Sequence, residues 1–74
     1  MKIRDFNRYE NGVLDWALNT IMQSREKIGL PTDDMAAARI DLKLCDLLYN
    51  SNTERVKDVV RRYVFSPTRE LVIA

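Results

Sequence analysis

The sequence contains no histidine and only one cysteine, Cys45. Histidine is the commonest general base at neutral pH and the commonest metal ligand, so its absence argues against most hydrolytic and metal chemistry. A lone cysteine cannot close an intramolecular disulfide, which is typical of a reducing compartment. The sequence also has no glycine-rich phosphate loop, nucleophile elbow or EF-hand spacing. We therefore expect a cytoplasmic non-enzyme with no cofactor and no metal.

Glycine and proline are scarce, with two of each in 74 residues, and this favours long, unbroken elements. A net charge of +1 creates no overall field that would attract nucleic acid or an anionic membrane. No apolar run approaches the roughly 18 residues that a membrane span requires. The hydrophobic fraction of 46% and the charged fraction of 31% are those of one globular domain over residues 1–74.

The segment 33–50 has the strongest pattern in the chain. On a helix its apolar side chains form two arcs that together cover roughly two thirds of the circumference, more than one buried face requires. This central helix is therefore predicted to need neighbours on both sides. The first arc consists of Ala36, Ala37, Ile40, Leu44, Leu47 and Leu48, and the second arc of Met35, Ala38, Leu42, Cys45 and Tyr49.

Residues 13–28 repeat apolar side chains at helical spacing and predict a first helix that ends at Gly29. Residues 1–12 fit an extended arm, a short strand that turns at Asn11, or the start of the first helix near Asp5, which we favour. A connection of about four residues should place the first and central helices roughly antiparallel, and Asp33 should cap the central one. The core stripe of the first helix is Val13, Leu14, Ala17, Leu18, Ile21, Met22, Arg25 and Ile28.

A third helix is predicted to begin at a capping box formed by Ser51 and Glu54 and to end at Phe65. Beyond it the chain closes on Leu71, Val72 and Ile73, and so apolar a tail is expected to dock. It either folds back over the helices or crosses to a second subunit or partner. The sequence thus predicts an all-α, three-helix domain, a helical hairpin plus a third helix, with a docked apolar C-terminal tail. The stripe of the third helix is Val56, Val59, Val60, Tyr63 and Val64.

Two charged residues fall inside apolar surfaces. Arg25 lies within the core stripe of the first helix, and Asp41 lies between the two arcs of the central helix. A charge buried alone costs several kcal/mol, so each side chain needs a partner or water. We expect the two to form a salt bridge across the hairpin; the alternative is that Asp41 reaches an interface or a ligand.

Aromatic side chains on the first helix point away from its core stripe. Trp16, the only tryptophan, shares this second face with Tyr9 and Thr20. Tryptophan and tyrosine are enriched at binding hot spots, which favours a surface for self-association or for a partner protein. The alternative is that the central helix or the tail covers this face. The predicted contact residues are Tyr9, Val13, Trp16 and Thr20, with Leu71, Val72 and Ile73 as secondary candidates.

Nucleic acid binding is the rival interpretation, since the second and third helices could form a helix-turn-helix. Acidic Glu54 and Asp58 interrupt the basic face of the third helix, as on a self-paired, solvated surface. We therefore favour a non-catalytic protein-binding module, a small regulator or inhibitor that docks on a larger protein or acts as a homodimer. Such chains are frequent among phage- and plasmid-encoded modulators. The candidate nucleic-acid contacts are Arg55, Lys57, Arg61, Arg62 and Arg69.

Overall fold

The computed structural model describes residues 6–50 and 52–66. These form three helices, α1 (Arg8–Lys27), α2 (Asp34–Asn50) and α3 (Thr53–Phe65), and each helix contacts the other two. The predicted all-α, three-helix domain is confirmed. Arg69 and the tail residues Leu71, Val72 and Ile73 lie outside the described residues, so the docked tail stays a prediction. Within the described ranges, no helix is long and apolar enough to cross a membrane.

Helix α1 begins three positions later than the predicted start at Asp5. Asn7 is the N-cap: its side chain accepts a hydrogen bond from the backbone N–H of Glu10 at 2.8 Å, and the carboxylate of Glu10 accepts one from the N–H of Asn7 at 2.9 Å. This reciprocal capping box satisfies two amides that the helix leaves unpaired. The pattern Asn-x-x-Glu marks the true boundary, and Asn11 lies inside α1 rather than in a strand turn.

The predicted end of α1 at Gly29 is confirmed. Gly29 has φ +78°, and the N–H groups of Gly29 and Leu30 donate to the carbonyls of Glu26 and Arg25 at 3.2 and 2.9 Å. These two bonds form a Schellman motif, which favours glycine because a side chain strains this backbone. The connection then runs over residues 28–33, longer than expected. It ends at Asp33, whose carboxylate caps α2 by accepting from the N–H of Ala36 at 2.9 Å.

The N-cap of α3 is Asn52 rather than the predicted Ser51, which lies outside the described residues. The side chain of Asn52 accepts from the N–H of Arg55 at 3.1 Å, as an N-cap does. The carboxylate of Glu54 lies 3.3 Å from the ammonium nitrogen of Lys57. The predicted end of α3 at Phe65 is confirmed.

One face of each helix supplies the core. The predicted stripes of α1 and α3 are buried or half-buried, with one exception: Ile28 is 47% exposed, because α1 ends at Lys27 and the C-cap turns away from the core. Ser24, which the apolar pattern omitted, is buried. The apolar core consists of Phe6, Val13, Leu14, Ala17, Ile21, Ile40, Leu44, Cys45, Leu47, Leu48, Val56, Val59, Val60 and Tyr63.

The central helix α2 is covered on one side only. Its first arc is buried from Ile40 onward, whereas Met35, Leu42 and Tyr49 of the second arc are 65%, 64% and 55% exposed. Cys45 is the buried member of that second arc. The ring of Tyr49 packs against the ring of Phe6, with centroids 4.8 Å apart and a tilt of 46° between the ring planes. The expectation that neighbours cover both sides of α2 is therefore wrong for the single chain.

The predicted salt bridge between Arg25 and Asp41 does not form. Nε of Arg25 donates to the carbonyl oxygen of Pro31 at 2.9 Å, and Nη1 lies 3.4 Å from the hydroxyl oxygen of Tyr63. These neutral acceptors tie the end of α1 to the connection and to α3, so the guanidinium does not need a carboxylate. Asp41 is half-buried, and it takes part in neither of the two ion pairs among the described residues.

Candidate protein-binding groove

A shallow groove of about 250 Å³ runs between the first half of α1 and the start of α3. Four of its lining residues come from one face of α1, because positions 9, 12, 13 and 16 follow helical spacing. The fifth comes from α3. The described residues that line the groove are Tyr9, Gly12, Val13, Trp16 and Lys57.

The groove is apolar in its centre and aromatic at its edges. Val13 is buried and belongs to the core, whereas Tyr9 and Trp16 are 58% and 44% exposed. Gly12 contributes no side chain, and a Cβ placed there would meet nothing within 4 Å. The groove therefore exposes two large aromatic surfaces on either side of an open strip of backbone.

A hydrogen bond between Lys57 and Tyr9 joins α3 to α1 at the groove. Nζ of Lys57 lies 3.1 Å from the hydroxyl oxygen of Tyr9, 3.3 Å from a carboxylate oxygen of Glu54 and 5.7 Å from the centroid of the Tyr9 ring. The hydrogen bond to Lys57 lowers the pKa of Tyr9, with Thr53 adding a second hydrogen bond. The same bond to Tyr9, followed by the bond to Glu54, raises the pKa of Lys57. The ammonium is thus held at the rim.

The structure brings together three of the four predicted α1 contact residues. Tyr9, Val13 and Trp16 line the groove, although Val13 serves mainly as core. Thr20 is half-buried one turn further on, where its hydroxyl donates to the carbonyl of Trp16 at 2.8 Å. It is not among the described lining residues. The groove was predicted without Gly12, and Lys57 was assigned to nucleic acid instead.

Lys57 could not be assigned to the groove from its local sequence. Its spacing from Glu54 indicates a self-paired surface, and the structure has that pair. Its second contact, to Tyr9, joins residues 48 positions apart and depends on how α1 packs against α3. Gly12 had a local signal, since a glycine inside a helix lowers helix propensity and calls for a reason.

The basic residues of α3 do not form a continuous cationic surface. Lys57 contacts Glu54, and Arg62 forms an ion pair with Asp58 at 3.1 Å. Arg61 is exposed and Arg55 is half-buried. The acidic residues that interrupt the sequence pattern are therefore ion-pair partners of two of the four described candidates.

The side chains that line the groove limit the chemistry that it can support. Its lining provides indole, phenol, aliphatic and ammonium groups. Cys45 is buried in the core on α2. Over residues 6–50 and 52–66, no three metal-ligating side chains cluster. The chemistry that these side chains support is contact with an apolar group and attraction of a negative charge.

Comparison with known proteins adds no relative: no family model matches the sequence, and no curated protein or solved structure is significantly similar to it. Functional reasoning therefore rests on the geometry of the fold and the groove.

Proposed function

We propose that this chain is a non-catalytic protein-binding module that docks on a larger protein through the groove between α1 and α3. The exposure of Trp16 carries the proposal. Burying its only indole would stabilise a folded chain, yet Trp16 is 44% exposed beside Tyr9, which is 58% exposed. Such aromatic pairs dominate the binding energy of many protein interfaces, since they bring large area at little cost in rotamer entropy.

The residues that line the groove indicate which chemical groups a partner should present. Two aromatic walls favour an aliphatic or aromatic side chain between them. The ammonium of Lys57 has three N–H donors, and its contacts with Tyr9 and Glu54 use two of them. An incoming carboxylate can take the third. The groove thus suits a segment of a partner protein that presents an apolar side chain next to an aspartate or glutamate.

A small chain that binds and does no chemistry acts by occupying a surface of its partner. This supports a role as a cytoplasmic regulator or inhibitor, consistent with the single cysteine and the lack of histidine. The proposal does not depend on the source of the chain.

A display library of random peptides, selected on the wild-type protein and sequenced, tests the proposal. We expect enrichment of peptides with an apolar residue beside Asp or Glu. Their affinity should fall by roughly 30-fold or more in Trp16→Ala, the loss typical of a hot-spot aromatic. The matched control is Leu42→Ala, which removes an exposed apolar side chain from α2 and should leave binding unchanged. Enriched peptides that bind Trp16→Ala as tightly as wild type would contradict this use of the groove.

A further inference from the structure

We propose that the chain forms an antiparallel homodimer through the outer face of α2. The large exposed side chains on this face are Met35, Leu42 and Tyr49, which recur every seven residues. Exposed Ala38 lies between Met35 and Leu42, and Cys45, which is already buried in the core, lies between Leu42 and Tyr49. The full series has the alternating three- and four-residue spacing of a two-helix seam. We call these five residues the α2 ridge.

The large residues of the α2 ridge lie symmetrically about its midpoint, so two copies can pack against each other. It extends over fourteen residue steps, or about 21 Å at about 1.5 Å per residue. Leu42 is its midpoint, with one large residue seven positions away on either side. When two such ridges run in opposite directions, each Leu42 meets the other near the twofold axis and each Met35 lies near the partner copy's tyrosine. Ala38, the small exposed residue of each ridge, allows close approach of the helices.

Charges beside the ridge favour the antiparallel direction. On a helical wheel Arg39 and Asp46 lie along one flank, and Asp34 and Asp41 lie along the other. In an antiparallel pair like flanks meet, which places each Arg39 near Asp46 of the second copy, twice by symmetry. In a parallel pair opposite flanks meet, and each attraction between Asp34 and Arg39 is offset by a repulsion between Asp41 and Asp46.

The same arrangement brings the two copies of Asp41 close to each other. This half-buried carboxylate, which has no ion pair among the described residues, lies one residue from the dimer axis. Two copies of it approach each other there, and like charges at short distance weaken association. One repulsion at the axis against two attractions on the other flank leaves a net electrostatic gain.

The dimer should be weak, because its contact is one short helix face. Stable complexes bury about 800 Å² on each partner, and a ridge of about 21 Å supplies less than that. Self-association is therefore measured by sedimentation equilibrium from micromolar to millimolar concentration. We expect the apparent mass to rise from the 8.7 kDa of one chain towards twice that value. A mass that stays at one chain throughout, or that passes beyond two chains, overturns the proposal.

Substitutions on the ridge test where the chains meet. Leu42→Glu should weaken self-association at least about tenfold, because it places two charges at the axis. Leu42→Gln, which adds no charge, should also weaken self-association. It replaces Leu42→Glu as the test if the charged variant loses helicity. Trp16→Ala is the matched control in the groove and should dimerise like wild type. If the Leu42 variants dimerise like wild type and Trp16→Ala does not, the proposal is overturned and the chains meet through the groove.

Charge-reversal variants test whether the two α2 helices run antiparallel or parallel. Asp46→Arg should weaken an antiparallel dimer by placing Arg39 against a second cation, whereas it would strengthen a parallel one. Combining it with Arg39→Glu should restore the wild-type association, since the pair is swapped and the net charge is unchanged. Asp41→Asn should tighten the dimer by removing the repulsion at the axis. A stronger dimer in Asp46→Arg overturns the antiparallel arrangement. The variants on α2 leave the residues that line the groove unchanged, so the dimer and the proposed function are tested separately.

Discussion

The hydroxyl oxygen of Tyr9 lies 3.1 Å from Nζ of Lys57, and this contact joins the first turn of α1 to α3 across 48 positions of the sequence. The same ammonium lies 5.7 Å from the centroid of the Tyr9 ring and 3.3 Å from the carboxylate of Glu54. One cation thus fixes the orientation of an aromatic wall of the groove. The same contact lowers the pKa of Tyr9 and raises the pKa of Lys57.

Titration of Tyr9 should reveal this link. Because the hydrogen bond from Lys57 holds the pKa of Tyr9 below its ordinary 10.0, ionised Tyr9 adds to stability as the pH rises through the lowered pKa towards 10.0. The pKa of Lys57 is raised above 10.5, so its contribution is complete below 10.5 and is lost only as the pH passes the raised value.

Lys57→Met should therefore raise the pKa of Tyr9 back towards 10.0. The measurement is the ¹³C shift of the tyrosine Cζ atoms against pH, with Tyr9→Phe used to assign the signal. Arg61→Met removes an exposed cation from the same helix and is the control, with no change expected. A Tyr9 pKa that does not respond to the loss of Lys57 would show that the contact does not form in solution.

Leu44 and Leu42 form a matched pair on α2, two residues apart. Leu44 is fully buried, whereas Leu42 is 64% exposed. Leu44→Ala should lower the free energy of unfolding by about 2–5 kcal/mol, because it leaves a cavity in the core. Leu42→Ala should change it by less than about 0.5 kcal/mol. Urea denaturation at micromolar concentration checks both values, and similar losses for the two variants would contradict the assignment of the buried face.

The two glycines should respond to alanine with opposite signs. Gly29 has φ +78°, a conformation in which a side chain is strained, so Gly29→Ala should cost about 1 kcal/mol or more. Gly12 lies inside α1 with room for a Cβ, so Gly12→Ala should stabilise the fold by about 0.5–1 kcal/mol. Thermal unfolding followed by circular dichroism gives both signs. Destabilisation by Gly12→Ala would mean that α1 does not continue through this position.

Nucleic acid binding is tested by a gel shift with random duplex at low salt. We expect no retardation, because nonspecific affinity comes from phosphate neutralisation by available cations. On α3 the ion pairs of Lys57 with Glu54 and of Arg62 with Asp58 reduce that supply. The control is Asp58→Asn, which releases Arg62 and should not by itself create a shift. Salt-dependent retardation by the wild-type protein would favour nucleic acid binding over the protein-binding interpretation.

The helix boundaries show how far local sequence predicts this fold. The end of α1 at Gly29 was predictable because one residue type satisfies one backbone conformation. The starts of α1 and α3 were misplaced because several polar residues near each boundary could act as the cap, and the structure uses Asn7 and Asn52. For α1 the local pattern Asn-x-x-Glu marks the cap. For α3 Ser51 and Asn52 are adjacent candidate caps, and the local pattern does not decide between them.

The groove was predictable in part for the same reason. Tyr9, Val13 and Trp16 share a face of one helix, so helical periodicity alone places them together. Lys57 belongs to another helix, so periodicity along α1 does not include it. Arg25 contacts the oxygens of Pro31 and Tyr63 instead of the predicted Asp41. Long charged side chains have several acceptors within reach, and only the packing of the helices decides among them.

The sequence by itself determined that this protein is a bundle of three helices, which faces of α1 and α3 turn inward, and that catalytic and metal-binding residues are scarce. Those properties follow from residue type and from periodicity along one helix. The tertiary structure decided that α2 buries one arc and exposes the other, and that α3 contributes the cation of the groove. Those properties depend on which surfaces meet, and three short helices provide too few neighbours to cover the whole of the central one.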